Sequence, residues 1–164
     1  MIYIVREKIF SIGDKFTIKN SNGEDVFQVT SKVLTIGDKL RILDMQGREH
    51  IYIEQKLLKF LPQYNIFQGD NLIAGVKKKL TFFNHKFVIE SVIGDYEIEG
   101  NVLAHDFSII KNGHQVARIK KAWLSLADCY EVDIESFENP AFILALVIVL
   151  DQVIYDDKNN NNNR

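Results

Sequence analysis

Four histidines and a single cysteine are the side chains with which this chain could bind a transition metal or attack an electrophile. His50, His85, His105 and His114 lack the paired spacing of a zinc site, of which His105-Asp106 is at most a fragment, so they read as isolated surface residues. Cys129 could act as a nucleophile with a remote histidine. It lies in a strand-like run beside Tyr130, however, where a small buried apolar residue is the usual role. One cysteine also makes neither an internal disulfide nor a thiolate metal cluster. Glu97 with Glu99, and Glu131 with Asp133, alternate with apolar residues and so read as the wet face of strands. A glycosidase pair would need two carboxylates converging about 5–10 Å apart in a cleft. The sequence therefore assigns no catalytic residue, no metal and no cofactor.

The basic residues are the stronger candidates. Lys77, Lys78 and Lys79 fall at the same place in one half of an internal repeat as Arg118, Lys120 and Lys121 in the other. On a strand Arg118 and Lys120 point the same way, and a neighbouring basic strand would complete a cradle for a phosphorylated headgroup. The competing reading is that lysines on exposed strand faces keep a sheet soluble and discourage edge pairing.

Short runs of alternating polarity must position these residues: Phe16-Thr17-Ile18-Lys19, Val26-Phe27-Gln28-Val29, Ile51-Tyr52-Ile53-Glu54, Phe87-Val88-Ile89-Glu90 and Tyr130-Glu131-Val132-Asp133-Ile134. Period two predicts strands with one wet face. Turn signals recur every ten or so residues, at Gly13-Asp14, Asn22-Gly23, Gly37-Asp38, Gly47-Arg48, Gly69-Asp70, Gly94-Asp95, Gly100-Asn101 and Asn112-Gly113, which predicts an antiparallel meander. No helical crossover of the length that a parallel βαβ unit needs is present, which disfavours a Rossmann-type nucleotide site. Two ungapped repeats support hairpin duplication: residues 12–23 over 36–47, and Tyr64-Asn65-Ile66-Phe67 with Ile73–Lys78 over Phe107-Ser108-Ile109-Ile110 with Val116–Lys121.

One segment breaks the period. Asn139-Pro140 is a helix N-cap with proline at the first helical position, and the apolar run Ala141–Leu150 follows, predicting a helix over about 139–154. A helix apolar all round must be surrounded on all sides. Ten residues rise about 15 Å against the roughly 30 Å of a bilayer core, so the run is not expected to span a membrane. An eight-stranded barrel is filled by its own side chains, whereas about twelve strands leave room for a helix of about 10 Å diameter. The expected fold is mainly β: one closed antiparallel barrel of about twelve strands over residues 1–157, enclosing the helix. The run Lys158–Arg164, rich in asparagine, reads as a disordered tail. Phe82, Phe83 and Trp123 read as core in preference to a membrane-interface wedge.

Charge and composition narrow the partners. Among 164 residues, 22 acidic against 20 basic side chains give a formal charge of −2, so no global field draws the protein to nucleic acid. The chain opens without a basic n-region and long apolar h-region, and a cytoplasmic protein is expected, with a peripheral place at the inner face of the membrane as an extension.

Three stretches carry a resemblance: Glu7–Phe16, Tyr96–Asn101, and Val116–Trp123 continuing to Asp128-Cys129-Tyr130-Glu131-Val132. With them the chain, from about Met1 to Tyr155, resembles the LURP-one-related family of bacteria and plants, grouped with tubby-like C-terminal domains and phospholipid scramblases. The resemblance implies a closed twelve-stranded barrel around a hydrophobic C-terminal helix. It implies no named activity; in tubby domains a basic patch binds a phosphoinositide. The expected function is a non-enzymatic barrel docking on anionic phospholipid through its basic residues. The alternatives are a scaffold that binds a protein partner and a small-ligand or enzymatic barrel.

Overall fold

The computed structural model describes residues 1–6, 15–31, 37, 39–57, 61–79, 86–122 and 129–162. The expected turns at Gly13-Asp14 and Asp38, and Phe82, Phe83, His85 and Trp123, lie outside the described residues. Twelve strands form: β1 (Ile2–Arg6), β2 (Lys15–Asn20), β3 (Asp25–Ser31), β4 (Lys39–Asp44), β5 (Glu49–Gln55), β6 (Gln63–Gln68), β7 (Asn71–Lys79), β8 (Lys86–Ser91), β9 (Tyr96–Asn101), β10 (Asp106–Lys111), β11 (His114–Ala122) and β12 (Cys129–Ile134). Each pairs antiparallel with the next, and β1 pairs with β12 from Ile2 opposite Asp133 to Arg6 opposite Cys129. The sheet is thus a closed barrel with no free edge.

Alternation fixes which side chains line the lumen. Val5, Ile18, Val29, Ile42, Ile51, Ile53, Ile66, Ile109, Ile119 and Val132 are all fully buried, while their strand neighbours face out. The lumen is filled by the helix α1 (Pro140–Asn162). Every residue from Ala141 to Ile154 is buried, and the most exposed of them, Asp151, shows only 6% of its surface. These fourteen residues rise about 21 Å, so the helix threads the barrel and is enclosed on all sides.

The helix begins at the end of the barrel where β12 finishes. Here Asn139 accepts from the backbone N–H groups of Ala141 (3.1 Å) and Phe142 (3.3 Å) through Oδ1, satisfying two donors that the first turn leaves open. The preceding residue, Glu138, is buried and accepts from Lys111 Nζ at 2.8 Å and from the Tyr96 hydroxyl at 3.0 Å. That pairing ties the link before the helix to β9 and β10. Tyr96 packs on Phe142 with ring centroids 5.2 Å apart, so the same tyrosine touches the helix itself. We call this the cap end; the far end is where odd-numbered strands finish and even-numbered strands begin.

One sequence expectation changes. Gly100-Asn101 ends β9 instead of making the turn, which falls at Val102–His105. Gly100 has φ +104°, and a Cβ there would lie 2.7 Å from the Asp106 carbonyl oxygen and 2.9 Å from Phe107 Cα, so glycine is required by close approach of the next strand.

Enclosure of the helix is tested by Leu146→Asp. An unpaired ion at a fully buried site costs several kcal/mol against a net stability of about 5–15 kcal/mol, and the expected outcome is unfolded or insoluble protein. A melting temperature by circular dichroism within a few degrees of the parent would contradict enclosure.

Candidate functional site

The two basic strands singled out by sequence do not meet. Between β7 and β11 lie β8, β9 and β10, so their cations stand four strand spacings, about 19 Å, apart along the wall and a third of the way around it. Each strand instead makes cross-strand pairs. Lys77 Nζ lies 2.7 Å from Glu90 on β8, and Arg118 Nη2 lies 3.1 Å from Asp106 on β10. In the register Lys120 faces Glu131 and Lys121 faces Tyr130. Lys121 has the parity of the lumen-facing Ile119, and Lys78 that of Val76; both emerge at the rim, while Lys79 occupies the last position of β7.

What these residues share is an end of the barrel. The far end carries Arg6 at the close of β1, Lys15 at the start of β2, and Lys39 and Arg41 in the first half of β4. It also carries Lys56 after β5, Lys77, Lys78 and Lys79 at the close of β7, Lys86 opening β8, and Lys120 and Lys121 closing β11. Against these eleven cations the same half of the described strands holds four carboxylates, Glu54, Glu99, Asp106 and Glu131, while Arg118 stands at mid-strand and Arg41 and Lys77 reach Glu49 and Glu90 of the other half. The cap end is the reverse. Lys19, Arg48 and Lys111 there face Glu24, Asp25, Asp44, Glu49, Asp70, Glu90, Asp95, Glu97, Asp133, Glu135 and Glu138. A net charge of −2 thus conceals a barrel polarised along its axis.

On the outer wall of the far half, Thr30, Ser31, Lys39, Arg41 and Tyr52 line a depression of about 230 Å³. Lys39 pairs with Glu54 at 3.2 Å and Arg41 with Glu49 at 3.0 Å, and the Arg41 guanidinium lies 5.6 Å from the centre of the Tyr52 ring. Burial, then the neighbouring Glu54 carboxylate, push the Tyr52 hydroxyl above its ordinary range. A larger groove of about 400 Å³ crosses β6, β7 and β8, where Gly75 leaves the wall without a side chain.

Among the described residues histidine and cysteine chemistry is not assembled. Among the described residues no group of three or more His, Cys, Asp or Glu side chains is placed to hold a metal ion. Cys129 is buried in β12, as its sequence context suggested. His105 corrects the surface reading: it is buried at a left-handed φ of 50°, with its ring 5.1 Å from that of Tyr130. His114 is exposed. His50 Nε2 lies 3.4 Å from Asp44, whose carboxylate also accepts from the Gln46 and Arg48 backbone N–H groups and from Arg48 Nε at 2.8 Å. This is the hydrogen-bonded corner of the β4–β5 turn.

The sequence profile described as LURP-one-related matches residues 1–151. The chain belongs to the LURP-one-related family. An uncharacterized Bacillus subtilis (strain 168) protein, YxjI, is 33% identical over 154 residues, covering 94% of each chain. An Arabidopsis thaliana protein, AT5G01750, has a crystal structure similar to this one at a TM-score of 0.68 and 21% identity, covering 93% of this chain and 91% of that one, a likeness of fold. In this LURP-one-related barrel no helix among the described residues is long and apolar enough to cross a membrane.

Asp44 gives the cap end a pH signature. The Arg48 backbone N–H, with smaller help from the Arg48 and His50 side chains, holds its carboxyl at about 2 against burial, well below the usual carboxylate value of about 3.9. Because the folded value is depressed, its stabilisation is full above about pH 4 and is lost as pH falls through about 2. Asp44→Asn is therefore expected to melt roughly a few degrees below the parent at pH 7, with the gap narrowing between pH 4 and pH 2. A gap independent of pH would contradict the assignment.

Proposed function

We propose that the protein is a non-catalytic barrel that docks by its far end on an anionic phospholipid surface at the cytoplasmic side of a membrane. The observation that carries this reading is the segregation of charge along the barrel axis. A headgroup layer attracts each nearby Lys or Arg by about 1 kcal/mol, and the attraction fades within a Debye length of about 8 Å at physiological salt. A wall of five- to nine-residue strands tilted at about 40° stands roughly 13–23 Å tall, so the cap-end carboxylates other than Glu49 and Glu90 sit about two Debye lengths from a membrane held at the far end. The overall negative charge then opposes docking only weakly, and the field orients the approaching barrel.

The cross-strand pairs are compatible with this role. Lys39–Glu54, Arg41–Glu49 and Lys77–Glu90 are exposed ion pairs of the kind worth at most about 1 kcal/mol, and a phosphate oxygen can take the place of the carboxylate. Thr30, Ser31 and Tyr52 beside Lys39 and Arg41 supply hydroxyls around the 230 Å³ depression, a donor set suited to a phosphate group. The reading requires no general base, nucleophile or cofactor.

Arg6, Lys15 and Lys120 are exposed at the far end on β1, β2 and β11, and their joint replacement by glutamate tests the proposal. Wild-type protein is expected to co-sediment with phosphatidylglycerol vesicles at low salt, to release as salt is raised, and to ignore phosphatidylcholine vesicles. The triple variant should lose at least roughly a hundredfold in affinity, from three cations at about 1 kcal/mol each, with an unchanged circular dichroism spectrum. Failure of the wild-type protein to bind phosphatidylglycerol even at low salt would overturn the proposal.

A further inference from the structure

The cap end carries a feature that membrane docking at the far end leaves unused. Leu72 (49% exposed), Val92 (79%), Ile93 (39%) and Phe137 (73%) are large apolar side chains in water, and all four project from this end. They lie on three neighbouring connections held together by hydrogen bonds. The Val92 N–H donates to the Ile73 carbonyl at 3.0 Å, which sets the β8–β9 turn against the start of β7 beside Leu72. Asp95 and Asn112 exchange bonds of 2.8 and 3.0 Å, joining the β8–β9 and β10–β11 turns.

The third connection is fixed by the buried carboxylate. Glu138, adjacent to Phe137, holds Lys111 and Tyr96, and the Glu138 N–H donates to the Glu135 carbonyl at 3.1 Å. Gly94 completes the contact: at φ +142° its Cα sits so close to the Lys111 stem that a Cβ would meet Cε at 2.7 Å. Exposed apolar side chains are thus displayed on a scaffold already ordered, so a partner need not spend binding energy on fixing the turns.

Charge identifies the partner. Each apolar position has an exposed carboxylate two residues away: Asp70 beside Leu72, Glu90 beside Val92, Asp95 beside Ile93, and Glu135 beside Phe137. Lys111 is taken up by Glu138, and Lys77, which shares a groove with Leu72 and Val92, is taken up by Glu90. An anionic bilayer is repelled by such a rim, whereas a protein segment with an apolar anchor flanked by Lys or Arg satisfies both features. We infer that the cap end is a docking surface for a basic, amphipathic segment of a protein partner, seated on Leu72, Val92, Ile93 and Phe137 and flanked by Asp70, Asp95 and Glu135. The inference does not rest on lipid binding at the other end.

A fluorescently labelled helical peptide of leucine and lysine, and a matched peptide of leucine and glutamate, are the probes. Anisotropy titration should show binding of the leucine–lysine peptide and at least tenfold weaker binding of the leucine–glutamate peptide. Val92→Ser with Phe137→Ser, and separately Asp70→Lys with Glu135→Lys, should each weaken the first peptide at least tenfold. Both variants should keep the parent melting temperature and the parent's behaviour toward phosphatidylglycerol vesicles. Absence of binding by the leucine–lysine peptide, equal binding of the two peptides, or full affinity in both variants overturns the inference. So does loss of vesicle binding in the Val92/Phe137 variant, which would make the patch a membrane wedge.

Discussion

A helix without a polar face cannot rest against a protein; it has to be surrounded by one. From Ala141 to Leu150 the chain offers water no side that it would accept, and the closed twelve-stranded wall makes room for it. The dependence is mutual. A lumen of that width would be empty without the helix, and the aliphatic residues facing inward from every second position would lose their packing partners. The side chains facing outward are relieved of structural duty by the same arrangement, which leaves the outer wall and the two ends free to carry charge.

Those two ends differ in construction as well as in sign. The cap end is closed by hydrogen-bonded turns, an Asx-type corner at Asp44 and the buried Glu138 with its lysine and tyrosine. Positive charge gathers at the other end, on strand termini, around the mouth through which the helix leaves. Because an even number of strands alternates in direction, every residue near an odd-to-even connection reports to one end and every residue near an even-to-odd connection to the other. A charge bias between the two classes of connection is therefore a dipole of the whole barrel.

Much of the fold is legible in single residues. Asn139-Pro140 marks the helix start because capping and proline φ are local chemistry, and alternation marks β3, β5, β8 and β12 because a half-wet sheet permits little else. Gly100 looked like a turn because glycine serves both turns and close approaches, and only the position of β10 decides which. The burial of His105 depends on Tyr130 in a distant strand. For the candidate site, the lysines of β7 and β11 were visible as repeated motifs, but their grouping with Arg6, Lys15, Lys39 and Lys86 was not. That grouping follows from strand direction, a property of the topology and of no individual segment.

The seam between β1 and β12 joins residues separated by most of the chain, and the helix that fills the lumen comes after the second of them. On the ribosome, therefore, β1 emerges with one edge unpaired and keeps it so until β12 has been made. The nascent sheet has to hold its curl around a space whose occupant has not yet been synthesised. Contacts of such long range make closure slow in comparison with the hairpins that precede it. Chains cut short by translational arrest anywhere before the apolar run would be open, sticky sheets, so this architecture makes synthesis of the helix a quality check on the sheet that precedes it.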